Sequence, residues 1–332
     1  MTSGELETDA DAIAALEQIL LGGPHRYSRN QVAGAAEVPL ERAKRLWTAM
    51  GFANVGDDPV VFTDSDVMAL KLWDSLIDGD LIPESEETTL ARAIAQAFAR
   101  LADWQVQLFR SLMDQRGNDV GAGVALVEEL IPVVERLQSY VWRRQLTAAI
   151  GRALMETGED LATSAMAVGF ADIVGFTSMT RRIGKAELST LLEDFETDAA
   201  LAVTENHGRI VKTLGDEVLF VAENATDAAE IGLRLTDPAR EERGLPQLRL
   251  GIAYGSVLHR FGDVYGSVVN LASRLTSVAR PGTVLVDREL STLLQQNDAY
   301  SLRSRRPVPV RGYPHMRSWV LRHNDSWQSL DS

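Results

Sequence analysis

The chain has no cysteine among its 332 residues, so a disulfide, a thiolate metal site and a redox thiol are all excluded. Positive charge is scarce: 33 Lys and Arg stand against 47 Asp and Glu, a net charge of -14. That balance disfavours nonspecific nucleic-acid binding and attraction to anionic membranes, and no nucleic-acid partner is expected. Long apolar runs are missing as well. None approaches the ~20 residues needed to cross a bilayer, so no membrane span is expected. The N-terminus, MTSGELETDA, is acidic and lacks the basic region and apolar core of a signal peptide, which predicts a cytoplasmic protein. No internal repeat or low-complexity tract is apparent. The length suits two domains, and a 45% hydrophobic content is ample for a core in each.

Three stretches carry chemistry. In Gly208 to Phe220, GRIVKTLGDEVLF, Ile210, Val211, Val218, Leu219 and Val221 suit buried strands that close on a tight turn at Leu214 to Glu217. Gly215 relieves the backbone where the chain reverses, and Lys212 and Asp216 flank the tip. In Val168 to Thr177, Asp172 interrupts an otherwise apolar strand expected over Ala167 to Val174. A buried carboxylate is costly unless it is satisfied. Either Asp172 sits at the strand end and bonds nearby amides, or Asp172 and Asp216 end neighbouring strands and share divalent metal with the Ile173 carbonyl. Such hard oxygen donors suit Mg²⁺ or Mn²⁺ bound together with phosphates. A helix start follows at Val174 to Thr177, with free amides able to face a triphosphate. In Phe261 to Arg274, a loop carrying Asp263 lies between Gly262 and Gly266, and Asn270 and Arg274 share a helix face at i, i+4.

Together these stretches resemble the class III nucleotide cyclase catalytic domain, with F-x-D-I-x-G-F-T, K-T-x-G-D and G-D-x-x-G-x-x-V-N-x-A-S-R in the family's order. The resemblance spans roughly Leu161 to His323. It implies that Asp172 and Asp216, with the Ile173 carbonyl, bind two metal ions, Mg²⁺ or Mn²⁺, per active site. It implies further that Lys212 and Asp263 select the purine and that Asn270 and Arg274 serve the transition state. In the family two such domains meet head to tail, one lending the metal aspartates and the other the remaining four residues. A chain with one domain is therefore expected to form a homodimer with two equivalent sites. Adenine presents a donor at N6 and an acceptor at N1, which Asp263 and Lys212 complement, whereas guanine inverts both. ATP is the expected substrate, and 3′,5′-cyclic AMP and pyrophosphate the expected products.

The N-terminal half reads differently. Asp9 to Leu21 has a helical apolar stripe ended by Gly22, Gly23 and Pro24. Tyr27 to Leu72 resembles the helix-turn-helix and wing of MerR-like regulators: a short helix from Ser28, a turn near Glu37 to Pro39, a helix over Leu40 to Met50, a wing, and a helix from Thr63. Arg42, Lys44 and Arg45 are basic, but Glu37, Glu41, Asp57, Asp58, Asp64 and Asp66 surround them, which favours protein contacts over DNA. Pro83 to Glu87 marks a break, Thr88 to Met113 a long amphipathic helix, and Val120 to Met155 a second helix kinked at Pro132. Trp104, Phe109 and Trp142 are read as helix and dimer core. A helical domain ahead of a cyclase is similar to soluble actinobacterial adenylate cyclases with autoinhibitory, in some cases pH-responsive, regulatory domains. His207, beside the catalytic hairpin, is the histidine to test for such a response, against its plainer reading as a turn residue.

The expected architecture is α+β. A palm-like C-terminal domain with a mostly antiparallel sheet and flanking helices follows an all-α regulatory domain that contains the winged-helix-like segment. Boundaries are set at 1–155 for the regulatory domain, 156–163 for a linker, 164–323 for the cyclase domain and 324–332 for a tail. Helices are expected over Lys185 to Asn206 and Ala225 to Leu235, and strands over Gln247 to Tyr254, Thr283 to Val286, Tyr300 to Arg303 and Ser318 to Leu321. Arg311 falls where the family often carries phosphate-reaching basic residues, with surface solvation as the alternative. Two other functions compete with the enzyme: a transcription regulator with a nucleotide-sensing cyclase-like domain, and a diguanylate cyclase suggested by LGDEV. The latter lacks the second glycine of its signature and has a purine pair wrong for guanine.

Overall fold

The computed structural model describes residues 3–52, 56–115, 120–155, 163–260, 262–310 and 313–324. It divides into two compact units, Met1–Leu154 and Met155–Ser332.

The first unit is helical: α1 (Ser3–Leu21), α2 (Arg29–Ala36), α3 (Leu40–Met50), α4 (Asp64–Asp78), α5 (Glu84–Gln115) and α6 (Val120–Met155). Local chemistry sets its boundaries. Ser28 and Gln31 close a capping box on α2, Thr63 and Asp66 close another on α4, and Gly51 ends α3 in the left-handed region at φ 76°. Its core joins Val32, Ala36, Ala43, Leu46, Leu70 and Ala91 to a stacked Trp47–Phe62 pair with ring centroids 4.8 Å apart. Arg42 does not face solvent. Its guanidinium bonds Glu87 of α5 at 2.6 Å and also Asp74 of α4, clamping three helices together. Arg29 is likewise buried, stacked over Trp47.

Several expectations for this half need correction. The Pro83 to Glu87 break is instead the start of α5, whose first turn holds Glu84, Glu86 and Glu87, where acids favour the helix dipole. No wing is seen among the described residues. The β feature there is a single bridge, Tyr27 to Phe62, and residues 53–55 of the expected wing lie outside the described residues. Trp104 and Trp142 do not join a core within the chain, being 57% and 61% exposed. The expected linker, at 156–162, the tail from 325 onward and Arg311 fall outside the described residues.

The second unit is a seven-strand path with one strand off it. In chain order it comprises β1 (Thr163–Ile173), α7 (Phe176–Met179), α8 (Lys185–Glu205), β2 (Arg209–Leu214), β3 (Glu217–Ala222), α9 (Ala225–Leu235), α10 (Ala239–Glu242), β4 (Leu248–Arg260) and β5 (Asp263–Tyr265). There follow α11 (Ser267–Val278), β6 (Val284–Val286), α12 (Arg288–Leu294), β7 (Tyr300–Ser304), β8 (Val308–Val310), β9 (Tyr313–Met316) and β10 (Trp319–His323). The sheet order is β2-β3-β1-β4-β6-β10-β7, with β5 on β4 and β8-β9 as a separate ribbon. Among the described residues only the β4–β6 pairing is parallel.

Strand alternation divides the sheet into two faces. On one, Ala167, Ala171, Ile173, Val218, Phe220, Leu250 and Ile252 pack under α8, α9 and α12. On the other, Met166, Val168, Phe170, Leu219, Val221 and Ala253 pack against Val268, Ala272 and Leu275 of α11. Close approach of α11 depends on Gly251: a Cβ there would lie 2.3 Å from the Thr276 nitrogen and 2.5 Å from the Ala272 oxygen.

Candidate active site

β1 and the β2–β3 hairpin position the acids. Asp172 follows Phe170 by two residues, so it emerges on the α11 side of the sheet, one residue before β1 ends. Gly215, at φ 69°, lets the hairpin turn so tightly that Asp216 sits at its tip. The Ile173 amide then donates to the Asp216 carbonyl at 3.0 Å, which lashes the tip to the end of β1 and sets the two carboxylates side by side. Cross-strand register adds two partners for Asp172: Glu217 on β3 and Arg249 on β4. Arg249 donates to the Asp172 carboxylate from Nε at 2.6 Å and Nη2 at 2.5 Å.

The electrostatics are those of a site short of positive charge. Burial raises the Asp172 pKa; the Arg249 guanidinium opposes this, and the facing Asp216 carboxylate adds to it. Glu217 is pushed up to about 7, by burial first and then by Asp172 and Asp216, with Arg249 pulling the other way. One guanidinium thus serves both Asp172 and Glu217. Two facing carboxylates beside a strand-end carbonyl fit a hard divalent cation whose remaining ligands come from phosphate and water. No group of three or more His, Cys, Asp or Glu side chains with metal-site geometry occurs among the described residues. The donors that fit are therefore Asp172, Asp216 and the Ile173 carbonyl. The helix start expected beyond them is α7, only four residues long, with its Ser178 and Met179 amides already bonded to Gly175.

Lys212 reaches the same face through an irregularity. At Arg209 and Ile210 the β2–β3 register would carry Lys212 to the helix-covered side, but a bulge between Ile210 and Lys212 shifts it opposite Leu219 instead. A one-residue shift exchanges the faces of a strand. Asp263, expected in a loop, is in fact the first residue of β5, paired through Arg260 to the far end of β4. The two meet: Lys212 Nζ lies 2.5 Å from the Asp263 carboxylate. Asn270 and Arg274 stand one turn apart on α11, the first exposed and the second half-buried. Neither side chain makes a hydrogen bond or ion pair to the described residues.

Six of the seven expected site residues place their side chains toward the α11 side of one sheet or in contact with a residue that does; Ile173 offers its carbonyl alone, its side chain packing in the core on the opposite face. The residues fall into an acidic group at the β1 end and hairpin tip, and a second group formed by Lys212 with Asp263 and by the α11 pair. Sequence reasoning missed Arg249 and Glu217. The available signals were a lone arginine between Leu248 and Leu250 and the acid directly after Asp216. His207 stands at the opposite end of β2 from the tip, in the left-handed region at φ 54°, with its ring exposed near Asp227. It is a turn residue remote from the acids.

The adenylate and guanylate cyclase catalytic domain family matches residues 160–323. An adenylate cyclase of Streptomyces coelicolor is 39% identical over 341 residues, covering 93% of this chain and 89% of that protein. An adenylate cyclase of Glutamicibacter nicotianae is 36% identical, covering 95% and 83%. A pH-sensitive adenylate cyclase of Mycobacterium tuberculosis is 28% identical, covering 86% and 75%. Among solved structures, the adenylyl cyclase CyaB of P. aeruginosa aligns with a TM-score of 0.42 and 22% identity, over 48% of this chain and 95% of that one. Identity that runs through nearly the whole of the first two relatives, on both sides of the catalytic domain boundary, places the protein in a family: it belongs to the class III adenylate cyclases.

Proposed function

We infer that the protein converts ATP to 3′,5′-cyclic AMP and pyrophosphate at composite sites of a homodimer, under control of its N-terminal helical unit. The observation that carries this reading is the pairing of Lys212 with Asp263 on the same sheet face as the facing carboxylates Asp172 and Asp216.

In the free site Lys212 and Asp263 satisfy one another; adenine replaces that contact with two. Asp263 accepts from the N6 amino group, and Lys212 donates to N1. Guanine would set O6 against a carboxylate and an N–H against an ammonium, leaving both groups mismatched. Asp172, Asp216 and the Ile173 carbonyl would hold two ions, Mg²⁺ or Mn²⁺. When bound, these would acidify the ribose 3′-hydroxyl and neutralise charge on the β- and γ-phosphates. The 3′-oxygen forms its bond to the α-phosphorus as the bond to the β-phosphate oxygen breaks in line, releasing pyrophosphate. Arg274 stabilises the negative charge that develops on the phosphoryl oxygens, and Asn270 orients the ribose. Arg249 holds Asp172 in place.

Two copies are required because the acids and the α11 pair act from different chains. The regulatory reading takes residues 1–155 as an autoinhibitory domain, joined by 156–163 to a catalytic domain over 164–323. Among the described residues no helix is long and apolar enough to cross a membrane, in keeping with a cytoplasmic enzyme.

The test is product formation from ATP and from GTP, with Mg²⁺ or Mn²⁺, by the full chain and by a chain beginning at Glu156. Cyclic AMP from both, at different rates, is expected. Asp216→Ala should abolish turnover, and Asp263→Ala should narrow the preference for ATP over GTP while leaving metal dependence in place. Unaltered selectivity in Asp263→Ala would overturn its assignment.

A further inference from the structure

The helical unit carries a groove between α3 and α5 that the cyclase reaction does not use. It encloses about 350 Å³ and is lined by Glu41, Lys44, Arg45, Thr48, Thr88 and Arg92. Three cations from two helices converge here, in a chain whose net charge is -14. Lys44 shares one contact with Glu41, 3.3 Å away on the same helix and 77% exposed. Arg45 and Arg92 have no hydrogen-bond or ion-pair partner among the described residues. Elsewhere in the unit the arginines of this region are committed: Arg42 to Glu87 and Asp74, Arg29 to Asp57 and the Trp47 ring.

Two unpaired guanidiniums and an ammonium around a cleft, with the Thr88 side chain on its wall, form a receptor for a compact anion with several oxygens; the Thr48 hydroxyl is already donated to the Lys44 carbonyl at 2.8 Å. We propose that the α3–α5 groove binds a small phosphate-bearing anion. Duplex DNA fits the surface poorly. The basic residues of α3 face a concavity backed by α5 rather than projecting as a major-groove helix must. Occupancy has a route into the fold. An adjoining recess runs from Arg45 and Thr88 to Glu87, the buried carboxylate that holds Arg42 and so fastens α3 to α5.

The probe is inorganic pyrophosphate, titrated by calorimetry into the full chain with excess chelator and Asp216→Ala, which leaves the catalytic acids unable to hold phosphate through metal. Saturable binding is expected. The double variant Arg45→Ala/Arg92→Ala in the same background should bind at least about tenfold more weakly, with its far-UV spectrum and unfolding midpoint unchanged because both side chains lie at the surface. Arg45→Lys/Arg92→Lys should fall between the two. Absence of binding, or equal affinity in the double alanine variant, would overturn the site. So would retention of a labelled DNA duplex that depends on Arg45 and Arg92 when pyrophosphate does not bind, since α3 would then be a nucleic-acid reader.

Discussion

Single side chains do different kinds of work here, and Asp287 shows a structural one with a measurable sign. It caps α12, accepting from the Leu290 amide at 3.0 Å and the Tyr254 amide at 3.2 Å, and is 4% exposed. Burial raises its pKa from 3.8 to about 6 against the pull of those amides. The folded chain therefore holds this proton more tightly than the unfolded one. The associated stability is fully present below the unfolded value and is lost as pH rises through about 6. Asp287→Asn keeps an acceptor at the cap and removes the titration. Urea midpoints measured at pH 4.5 and pH 7 should differ less in the variant than in the parent, by a contribution of at most about 2 kcal/mol. An identical pH slope in both would mean that Asp287 does not titrate in this range. The six polar candidates could be named at this scale because each belongs to a short motif in a fixed order, and the structure brings Lys212 to Asp263 and Asp172 to Asp216. Arg249 and Glu217 could not be. Their roles come from standing opposite Asp172 across two strands, and register between distant segments is not written in the local sequence.

The elements were legible where periodicity was strong and illegible where pairing decided. The β2–β3 hairpin follows from Gly215 and its apolar flanks, but the bulge that turns Lys212 toward Asp263 has no such signature. β1 and β4 extend well past the apolar runs that announce them, from Thr163 and to Arg260, because they pair along their whole length. β5, three residues long, reads as a loop until β4 is beside it. Helix α11 carries Asn270 and Arg274, the proposed transition-state pair, and its seat is Gly251. An added methyl there meets backbone atoms of Ala272 and Thr276, which cannot rotate away. Gly251→Ala should therefore lift α11 from the sheet, at a cost near the upper end of overpacking, about 3 kcal/mol. Because Asn270 and Arg274 ride on that helix, kcat should fall with it while nucleotide selectivity, proposed to lie with Lys212 on β2 and Asp263 on β5, persists. Thermal unfolding and single-turnover rates of the variant check both parts, and an unshifted midpoint would contradict the close packing.

For the whole molecule the decisive matter is the proposed division of one chain's site residues into two groups. The acids Asp172 and Asp216 gather at one place on the sheet, and Lys212, Asp263, Asn270 and Arg274 form the second group. If two chains meet so that the acids of each face the second group of the other, Asp216→Ala and Arg274→Ala damage different halves of a composite site. Each variant alone would be inactive, since every site in its homodimer carries the defect. In a heterodimer both defects fall in one site and the other site is whole. Mixing equal amounts and allowing subunits to exchange gives heterodimers in half of the dimers, each with one working site of two, so activity should recover to about a quarter of the parent value. The recovery should follow the rate of subunit exchange and be absent when Asp216→Ala is mixed with Asp172→Ala, where both defects lie in the same group. A mixture of Asp216→Ala and Arg274→Ala that stays inactive after proven exchange would mean that each chain completes its own site. The division of the six residues between two subunits would then have to be abandoned, while their individual roles would stand.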